Sequence, residues 1–224
     1  MIQVLKSMAF KVLGERGREA IIRTAGTGSF YLRKAVGPKI NTENLRLHLG
    51  CGDISLPGFV NVDASKTFAS NVIDDITTLG SFGSDVAAEI YACHVLEHFS
   101  HDEVPMILKR WFDVIQPDGT IRISVPDMDK IVKIYNANWQ HFQTEGHSPW
   151  IGLIYGGQKD RYDYHKTGFN FVWLRKLLSD AGFVDIKEYP LAPHFCGEGI
   201  KDASLSDEPF GEKFSLNIMA HKPA

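Results

Sequence analysis

Strand-like and helix-like segments alternate along the chain from Leu45 onwards, and this alternation restricts its folds more than any other feature. Apolar residues recur at three- and four-residue steps over 104–115 and 171–181, and Gly182 stands where the second helix would end. Strands that alternate with helices predict an α/β fold with a doubly wound, mostly parallel sheet covered on both faces. The segments with the pattern of strands are 45–49, 59–62, 71–73, 89–93, 120–125, 184–189 and 214–219.

The size and cysteine content of the chain predict a single intracellular domain. It has 224 residues, of which 44% are apolar, enough to bury a core without disulfides or a structural metal. The three cysteines, Cys51, Cys93 and Cys196, are far apart and odd in number, so we expect a reducing, cytoplasmic compartment. No run of 18 apolar residues is present, so we expect no transmembrane helix.

Positive charge is concentrated at the start of the chain. Residues 1–40 carry eight Lys or Arg and two Glu, whereas residues 41–224 carry a net charge of −9, which argues against a nucleic-acid partner. Apolar residues at helical spacing between Val4 and Leu13 predict a basic helical arm over 1–40, followed by one domain over 41–224. Such an arm binds an anionic membrane surface or an acidic partner, or packs on its own domain or on a second copy in a homo-oligomer.

Glycines and acids follow the first three predicted strands. The first strand ends in Gly50-Cys51-Gly52, where glycine lets the backbone approach a ligand closely. Ligands of parallel α/β sheets bind outside the carboxyl ends of the strands. Asp63 follows the second strand and is placed to accept hydrogen bonds from two ribose hydroxyls. Asp75 follows the third strand, where its carboxylate or the neighbouring backbone is placed to bind an adenine amino group. Together these positions predict a nucleoside site.

The connection between the first two strands narrows the choice of nucleoside cofactor. Ile54 stands where a dinucleotide-binding turn has its third glycine, and only the nine residues 51–59 join the strands. A parallel crossover with its helix needs a dozen or more residues, so we expect a turn there rather than a helix. The chain then has no helix N-terminus to bind a pyrophosphate, which favours a cofactor with ribose and adenine but no phosphate over a nicotinamide dinucleotide. A nicotinamide-dependent oxidoreductase is disfavoured for the same reason.

The ordered set of motifs resembles the class I S-adenosylmethionine-dependent methyltransferases. Within them, the chain is similar to small methyltransferases associated with surface-polysaccharide and glycan biosynthesis. The resemblance covers about residues 45–190 and is carried by Leu47-His-Leu-Gly-Cys-Gly52, Val60-Asn-Val-Asp63, Asp74-Asp-Ile76, Tyr91-Ala-Cys-His-Val-Leu-Glu-His98, Gln116-Pro-Asp-Gly119 and Ile123-Ser-Val-Pro-Asp127.

This resemblance implies a seven-stranded Rossmann-like sheet with an antiparallel last strand. It implies S-adenosylmethionine as cofactor, S-adenosylhomocysteine as product, and a small-molecule or glycan acceptor. The chain departs from the family at His48, which stands where an acid usually opens the glycine motif, and at Ile54. The positions that the resemblance assigns to the cofactor are Leu49, Gly50, Cys51, Gly52, Asp63, Asp75, Ile76, Cys93 and His94.

A histidine-rich motif after the fourth strand offers a rival function. His94, Glu97 and His98 spell the H-x-x-E-H motif of inverted zinc proteases, in which two histidines on one helical face bind zinc and the glutamate is the base. The motif follows directly from a strand, however, and no third ligand is identifiable downstream. We therefore predict no metal site, and a zinc hydrolase stays an alternative.

The segment 136–170 lacks strand signals and is rich in aromatic residues, so we expect an irregular lid over the pocket. Methyl transfer to a hydroxyl needs a base that takes its proton. The predicted bases are His165, which lies in this segment beside Tyr164, and His94, with His98 ranked lower. A non-catalytic cofactor-binding module, which needs no such base, is a further alternative.

Overall fold

A computed structural model describes residues 40, 42–144, 149–189, 202–205 and 211–224. The predicted basic arm, apart from Ile40, lies outside the described residues, and so does Cys196.

Seven strands form one sheet. The strands are β1 (Leu45–Leu49), β2 (Val60–Asp63), β3 (Val72–Ile73), β4 (Ala87–Cys93), β5 (Ile115–Pro126), β6 (Val184–Glu188) and β7 (Ser215–His221). Their order across the sheet is β3-β2-β1-β4-β5-β7-β6. β7 runs antiparallel to both of its neighbours, and the other strand pairs are parallel. The predicted mostly parallel, seven-stranded sheet with an antiparallel last strand is therefore confirmed.

Four α-helices and two 3-10 turns accompany the sheet in the described residues. The helices are α1 (Val104–Val114), α2 (Met128–Thr144), α3 (Pro149–Tyr155) and α4 (Phe171–Ala181), and the 3-10 turns span Leu96–His98 and Ala203–Leu205. α4 ends as predicted, because Gly182 takes a left-handed conformation with φ 110° that a side chain would strain. No described helix is both long enough and apolar enough to cross a bilayer.

The link between β1 and β2 contains no helix. As predicted, residues 50–59 form turns rather than a helix, closed by hydrogen bonds from Ile54 N to Cys51 O and from Phe59 N to Leu56 O. The links from β2 to β3 and from β3 to β4 also contain no helix. The link between β1 and β2 is too short to hold a helix.

The segment 136–170 was wrongly expected to be irregular. α2 runs through to Thr144 and α3 covers Pro149–Tyr155, so among the described residues of this segment helix covers all but 156–170. The helical period of α2 is weakened by its polar residues, which hid it in the sequence.

The topology fixes where a ligand can bind. β1 pairs with β2 on one side and with β4 on the other, so the chain reverses direction across the sheet at β1. In open α/β sheets a crevice forms at such a switch point, outside the carboxyl ends of the strands. The turn after β1 and the residues after β4 therefore lie side by side, with Leu49 opposite Ala92 in register.

Candidate functional site

The two glycines after β1 take left-handed conformations for different reasons. Gly50 has φ +64°, and a Cβ added there would lie 2.5 Å from a methyl carbon of Val95. Gly52 has φ +51°, but an added Cβ would meet nothing within 4 Å. Packing thus requires glycine at position 50, whereas Gly52 borders open space into which a ligand could enter.

Asp63, at the end of β2, holds this turn. Its Oδ2 accepts a hydrogen bond of 2.9 Å from Gly52 N, and its Oδ1 accepts one of 2.8 Å from Ser65 N. A carboxylate has about four lone-pair sites, so this half-buried group can accept further hydrogen bonds from ligand hydroxyls. The predicted ribose partner therefore lies against the predicted glycine turn.

Asp75 and Ile76 follow β3 and begin the turn towards residue 82. Oδ1 of Asp75 accepts hydrogen bonds from the backbone N–H of Thr77 (3.0 Å) and from its hydroxyl (2.6 Å), so this carboxylate also stabilises the turn. Ile76 is 7% exposed, and its carbonyl accepts a 2.8 Å hydrogen bond from Nε1 of the buried Trp111. Ile76 is thereby fixed as an apolar residue at the edge of the core.

Three further predicted cofactor positions are largely enclosed. The side chain of Leu49 is fully buried in the core, so only its backbone can face a ligand. Burial, with the nearby charge of Asp63 adding to it, raises the pKa of Cys51 to about 11. Burial also raises the pKa of the Cys93 thiol. Both thiols are therefore neutral near pH 7, and neither is an activated nucleophile.

His48, at the position where the resembling family has an acid, is buried in a polar network. Its Nδ1 lies 3.0 Å from Oδ1 of Asn61, and its ring stacks on that of Tyr91 at 5.5 Å. Burial lowers the pKa of His48, partly offset by its hydrogen bond to Asn61. The ring is therefore neutral near pH 7 and cannot supply the negative charge that the family's acid would carry.

His94 is strained and has both ring nitrogens against protein groups. It takes φ +53°, an uncommon value for a residue with a side chain and one that clusters at functional sites. Its Nε2 lies 2.8 Å from the hydroxyl of Ser215, and its Nδ1 lies 3.2 Å from Oε1 of Glu97. His94 therefore lies at the predicted place after β4, but its ring is held by the protein.

Glu97, His98 and His165 come together beside this strand end, and we refer to them as the Glu97 cluster. One carboxylate oxygen and one ring nitrogen from each histidine lie within 4.8 Å of one another. The side chain of Glu97 is 1% exposed. Burial alone would raise the pKa of Glu97, but the neighbouring His94 ring and then the charge of His98 hold it below its ordinary value. The cluster therefore contains an ionised, buried carboxylate.

The loop before His165 is built around Asp163. Its side-chain oxygens accept hydrogen bonds from the backbone N–H groups of Gly157 and Lys159, both at 3.3 Å. A Cβ on Gly156 would lie 2.2 Å from the Asp163 carbonyl oxygen, and one on Gly157 would lie 2.5 Å from its carboxylate. The two glycines are therefore required by close packing, and the loop has a defined shape rather than being a free lid.

Backbone hydrogen bonds then fix His165 and join it to the residues after β4. His165 N donates to Tyr155 O (3.0 Å), and its Nδ1 donates to Leu153 O (3.1 Å). The N–H groups of Lys166 and Thr167 both donate to Glu97 O, at 2.7 and 3.2 Å. The result is that the rings of His98 and His165 lie 5.0 Å apart in an edge-to-face arrangement.

The structure rearranges the predicted histidine motif. His94 precedes the 3-10 turn Leu96–His98, so His94 and His98 do not share one face of an α-helix. Instead, Glu97 and His98 meet His165, the residue predicted as base. The sequence contains no signal for this meeting, because it depends on the hydrogen bonds between the backbone after His165 and Glu97.

Comparison with known proteins shows the fold. No protein-family model and no curated protein sequence matches the chain. A SAM-dependent methyltransferase from Archaeoglobus fulgidus has a similar structure, with 17% identity and a TM-score of 0.50, over 90% of this chain and 98% of that chain. A SAM-dependent methyltransferase of Thermotoga maritima, named a possible histamine N-methyltransferase, has 15% identity and a TM-score of 0.50, over 85% of this chain and 86% of that chain. The chain therefore has the fold of these methyltransferases.

Some of the similar structures are longer than this chain. The CurJ carbon methyltransferase is 15% identical with a TM-score of 0.49, and the match covers 96% of this chain but 61% of that enzyme. The chain likewise spans 48% of human N-acetylserotonin methyltransferase.

Proposed function

We propose that the chain is an S-adenosylmethionine-dependent methyltransferase that methylates a hydroxyl group on a small-molecule or glycan acceptor. One observation carries the proposal: at the switch point of this fold, Gly52 borders open space while its N–H is held by the carboxylate of Asp63. The fold shared with known methyltransferases supports it.

The residues around the glycine turn fit this cofactor. S-Adenosylmethionine supplies an electrophilic methyl group, whose bond to sulfur breaks with its electron pair going to sulfur. The Gly50–Gly52 backbone would line its methionine part, and Asp63 would accept hydrogen bonds from its ribose hydroxyls. Ile76 would offer an apolar surface to adenine beside Asp75, with Cys93 and His94 closing the pocket after β4.

His165 is the residue that we propose to take the proton of the acceptor hydroxyl. Because a carbonyl can only accept, the contact with Leu153 O fixes the proton of the ring on Nδ1 and leaves the lone pair on Nε2. Burial lowers the pKa of His165, and the charge of Glu97 raises it by less than burial lowers it. The ring is therefore neutral and able to accept a proton near pH 7. His94 is the weaker candidate because both of its ring nitrogens already contact protein groups.

Exposed aromatic rings next to His165 support a glycan or ring-containing acceptor. Tyr155, Tyr162 and Tyr164 are 56%, 48% and 45% exposed, although large aromatic side chains usually gain by burial. The rings of Tyr155 and Tyr164 offer apolar surface on which a sugar ring can stack, whereas the guanidinium of Arg161 lies over the ring of Tyr162 at 4.7 Å. Trp139 is also exposed, on α2.

Thermal melts test the cofactor assignment. A ligand at a hundred times its dissociation constant stabilises a protein by about 2.7 kcal/mol. For a domain of this size we expect S-adenosylhomocysteine to raise Tm by roughly 5–10 °C, and NAD to leave it unchanged. No shift with S-adenosylhomocysteine would refute the proposal.

A radiolabelled transfer assay tests the acceptor assignment. We expect methyl transfer from S-adenosylmethionine to at least one member of a panel of sugars, glycans and hydroxyl-bearing small molecules. Binding of the cofactor without turnover on any acceptor would favour a non-catalytic module. The cytoplasmic location, the membrane or subunit contact of the basic arm and a homo-oligomeric state stay predictions from the sequence.

A further inference from the structure

The Glu97 cluster has the ligand types of a transition-metal site. Two histidine nitrogens and one carboxylate oxygen form a ligand set that holds catalytic zinc and leaves one coordination position open. The three atoms lie within 4.8 Å of one another, and a cation bound at about 2.1 Å from each requires separations on the order of 3.5 Å. The three ligand atoms would therefore have to draw closer together to share one cation, and both histidines are half-buried rather than enclosed.

The hydrogen bonds of the two histidines prepare them as ligands. Nδ1 of His98 donates to Tyr164 O at 3.3 Å, and Nδ1 of His165 donates to Leu153 O at 3.1 Å. Each ring therefore carries its lone pair on Nε2. Histidines that bind metals almost always donate the other ring N–H to a carbonyl or a carboxylate, which fixes the ring orientation.

The carboxylate of Glu97 supplies independent evidence that the cluster binds a ligand. Both of its oxygens are buried, and no donor among the described residues makes a hydrogen bond of good geometry to either. The His94 ring, with Nδ1 3.2 Å from Oε1, lowers the pKa of this carboxylate but makes no hydrogen bond of good geometry to it. Buried carboxylates that lack donors are costly unless they are paired with a cation or coordinate a metal.

We propose that Glu97, His98 and His165 bind one divalent transition-metal cation, such as Zn²⁺, through the carboxylate and the Nε2 atoms of both histidines. The site lies next to the end of β4, where the proposed cofactor pocket closes. It is not the H-x-x-E-H site, because His94 is replaced as a ligand by His165.

The consequence for catalysis rests on the proposed function. The open coordination position would take the acceptor hydroxyl, and a bound divalent cation strongly lowers the pKa of a coordinated oxygen. The O–H bond then breaks, its electron pair stays on the oxygen, and the proton leaves to bulk water. His165 acts as base only in the metal-free protein, because coordination uses its Nε2 lone pair.

Titration of the chelator-treated full chain with Co²⁺ tests the site directly. Co²⁺ is the probe because its visible absorption reports nitrogen and oxygen coordination, and Zn²⁺ is then added as a competitor. For the wild type we expect one equivalent of Co²⁺ to bind with a visible band that Zn²⁺ removes. His98→Gln and His165→Gln are each expected to weaken binding by roughly 100-fold or more, beyond the effect of losing an outer-shell partner.

Two further variants serve as controls. His101→Gln changes a neighbouring histidine whose side chain is 70% exposed, and we expect it to bind Co²⁺ like the wild type. His94→Asn keeps a residue that tolerates positive φ and removes the competing ring. It is expected to retain the site, with at most the 10–100-fold loss of an outer-shell change. Glu97→Gln changes the third proposed ligand, and its Co²⁺ binding is measured if circular dichroism shows that the variant folds.

The proposal is overturned if the wild type binds no Co²⁺, if His165→Gln binds as tightly as the wild type, or if His101→Gln also loses binding. Loss of the site in His94→Asn together with retention in His165→Gln would instead assign it to the H-x-x-E-H motif. The melt with S-adenosylhomocysteine is run on the same samples. A Tm shift without metal binding refutes only the metal site, and metal binding without a shift refutes the methyltransferase.

Discussion

Replacing each of three glycines by alanine separates backbone strain from loss of the cofactor pocket. All three have positive φ: Gly50 (+64°), Gly52 (+51°) and Gly58 (+79°). An L-residue in the left-handed region costs about 1–2 kcal/mol, so each variant carries this penalty. A Cβ added at Gly58 would lie 3.7 Å from Nη1 of Arg46, near the start of β1 and at the opposite end of that strand from Gly50, so Gly58→Ala is the matched control.

The surroundings of each added Cβ set the remaining effects. The Cβ of Gly50→Ala would lie 2.5 Å from Val95, and such overpacking adds about 1–3 kcal/mol, giving a total of roughly 2–5 kcal/mol. The Cβ of Gly52→Ala meets nothing within 4 Å, so only the strain penalty applies. At roughly 2–4 °C per kcal/mol, we expect Tm to fall by about 4–20 °C for Gly50→Ala and about 2–8 °C for Gly52→Ala and Gly58→Ala.

The decisive measurement is the Tm shift that S-adenosylhomocysteine produces in each variant. Gly58→Ala should keep the full wild-type shift, whereas Gly52→Ala should lose most of it, because its methyl group enters the space proposed for the cofactor. If Gly52→Ala and Gly58→Ala respond equally to the ligand, the open space beside Gly52 is not the cofactor pocket and the reasoning fails.

Three other residues give separate tests. Asp63→Ala should weaken S-adenosylhomocysteine binding by at least about 10-fold in calorimetric titration, because a hydrogen bond to a charged group contributes about 1.5–3 kcal/mol; an unchanged Kd would contradict the ribose assignment. Trp111→Phe removes the hydrogen-bond donor to Ile76 O, and leaving that buried carbonyl without a partner should lower the free energy of unfolding by about 1–3 kcal/mol. The expected result is a Tm lower by about 2–12 °C. His48 should make the free energy of unfolding fall as the pH is lowered through 6.5, the ordinary pKa of histidine, because its lowered pKa in the folded protein makes the unfolded state bind the proton first. In urea unfolding between about pH 7.5 and 5.5, His48→Gln should show a shallower fall than the wild type, and an equal slope would refute this contribution.

Local patterns in the sequence carry most of the fold. Strands are signalled by short apolar runs and helices by three- and four-residue steps, because burial of one face depends only on neighbouring residues. The prediction that 171–181 forms a helix ended by Gly182 is confirmed to the residue. β5 begins at Ile115, earlier than predicted, because Ile115 pairs with Ala87 across the sheet, and such pairing is not visible in a local pattern.

The sequence by itself determined the number of strands, the turn at Gly50 and Gly52, and the acids that follow β2 and β3. These features are local, since each needs only a strand end and the residue after it. Only the tertiary structure decided which distant side chains meet. Glu97, His98 and His165 form one cluster because backbone hydrogen bonds join the loop after His165 to Glu97, and contacts between residues so far apart along the chain leave no periodic trace in the sequence.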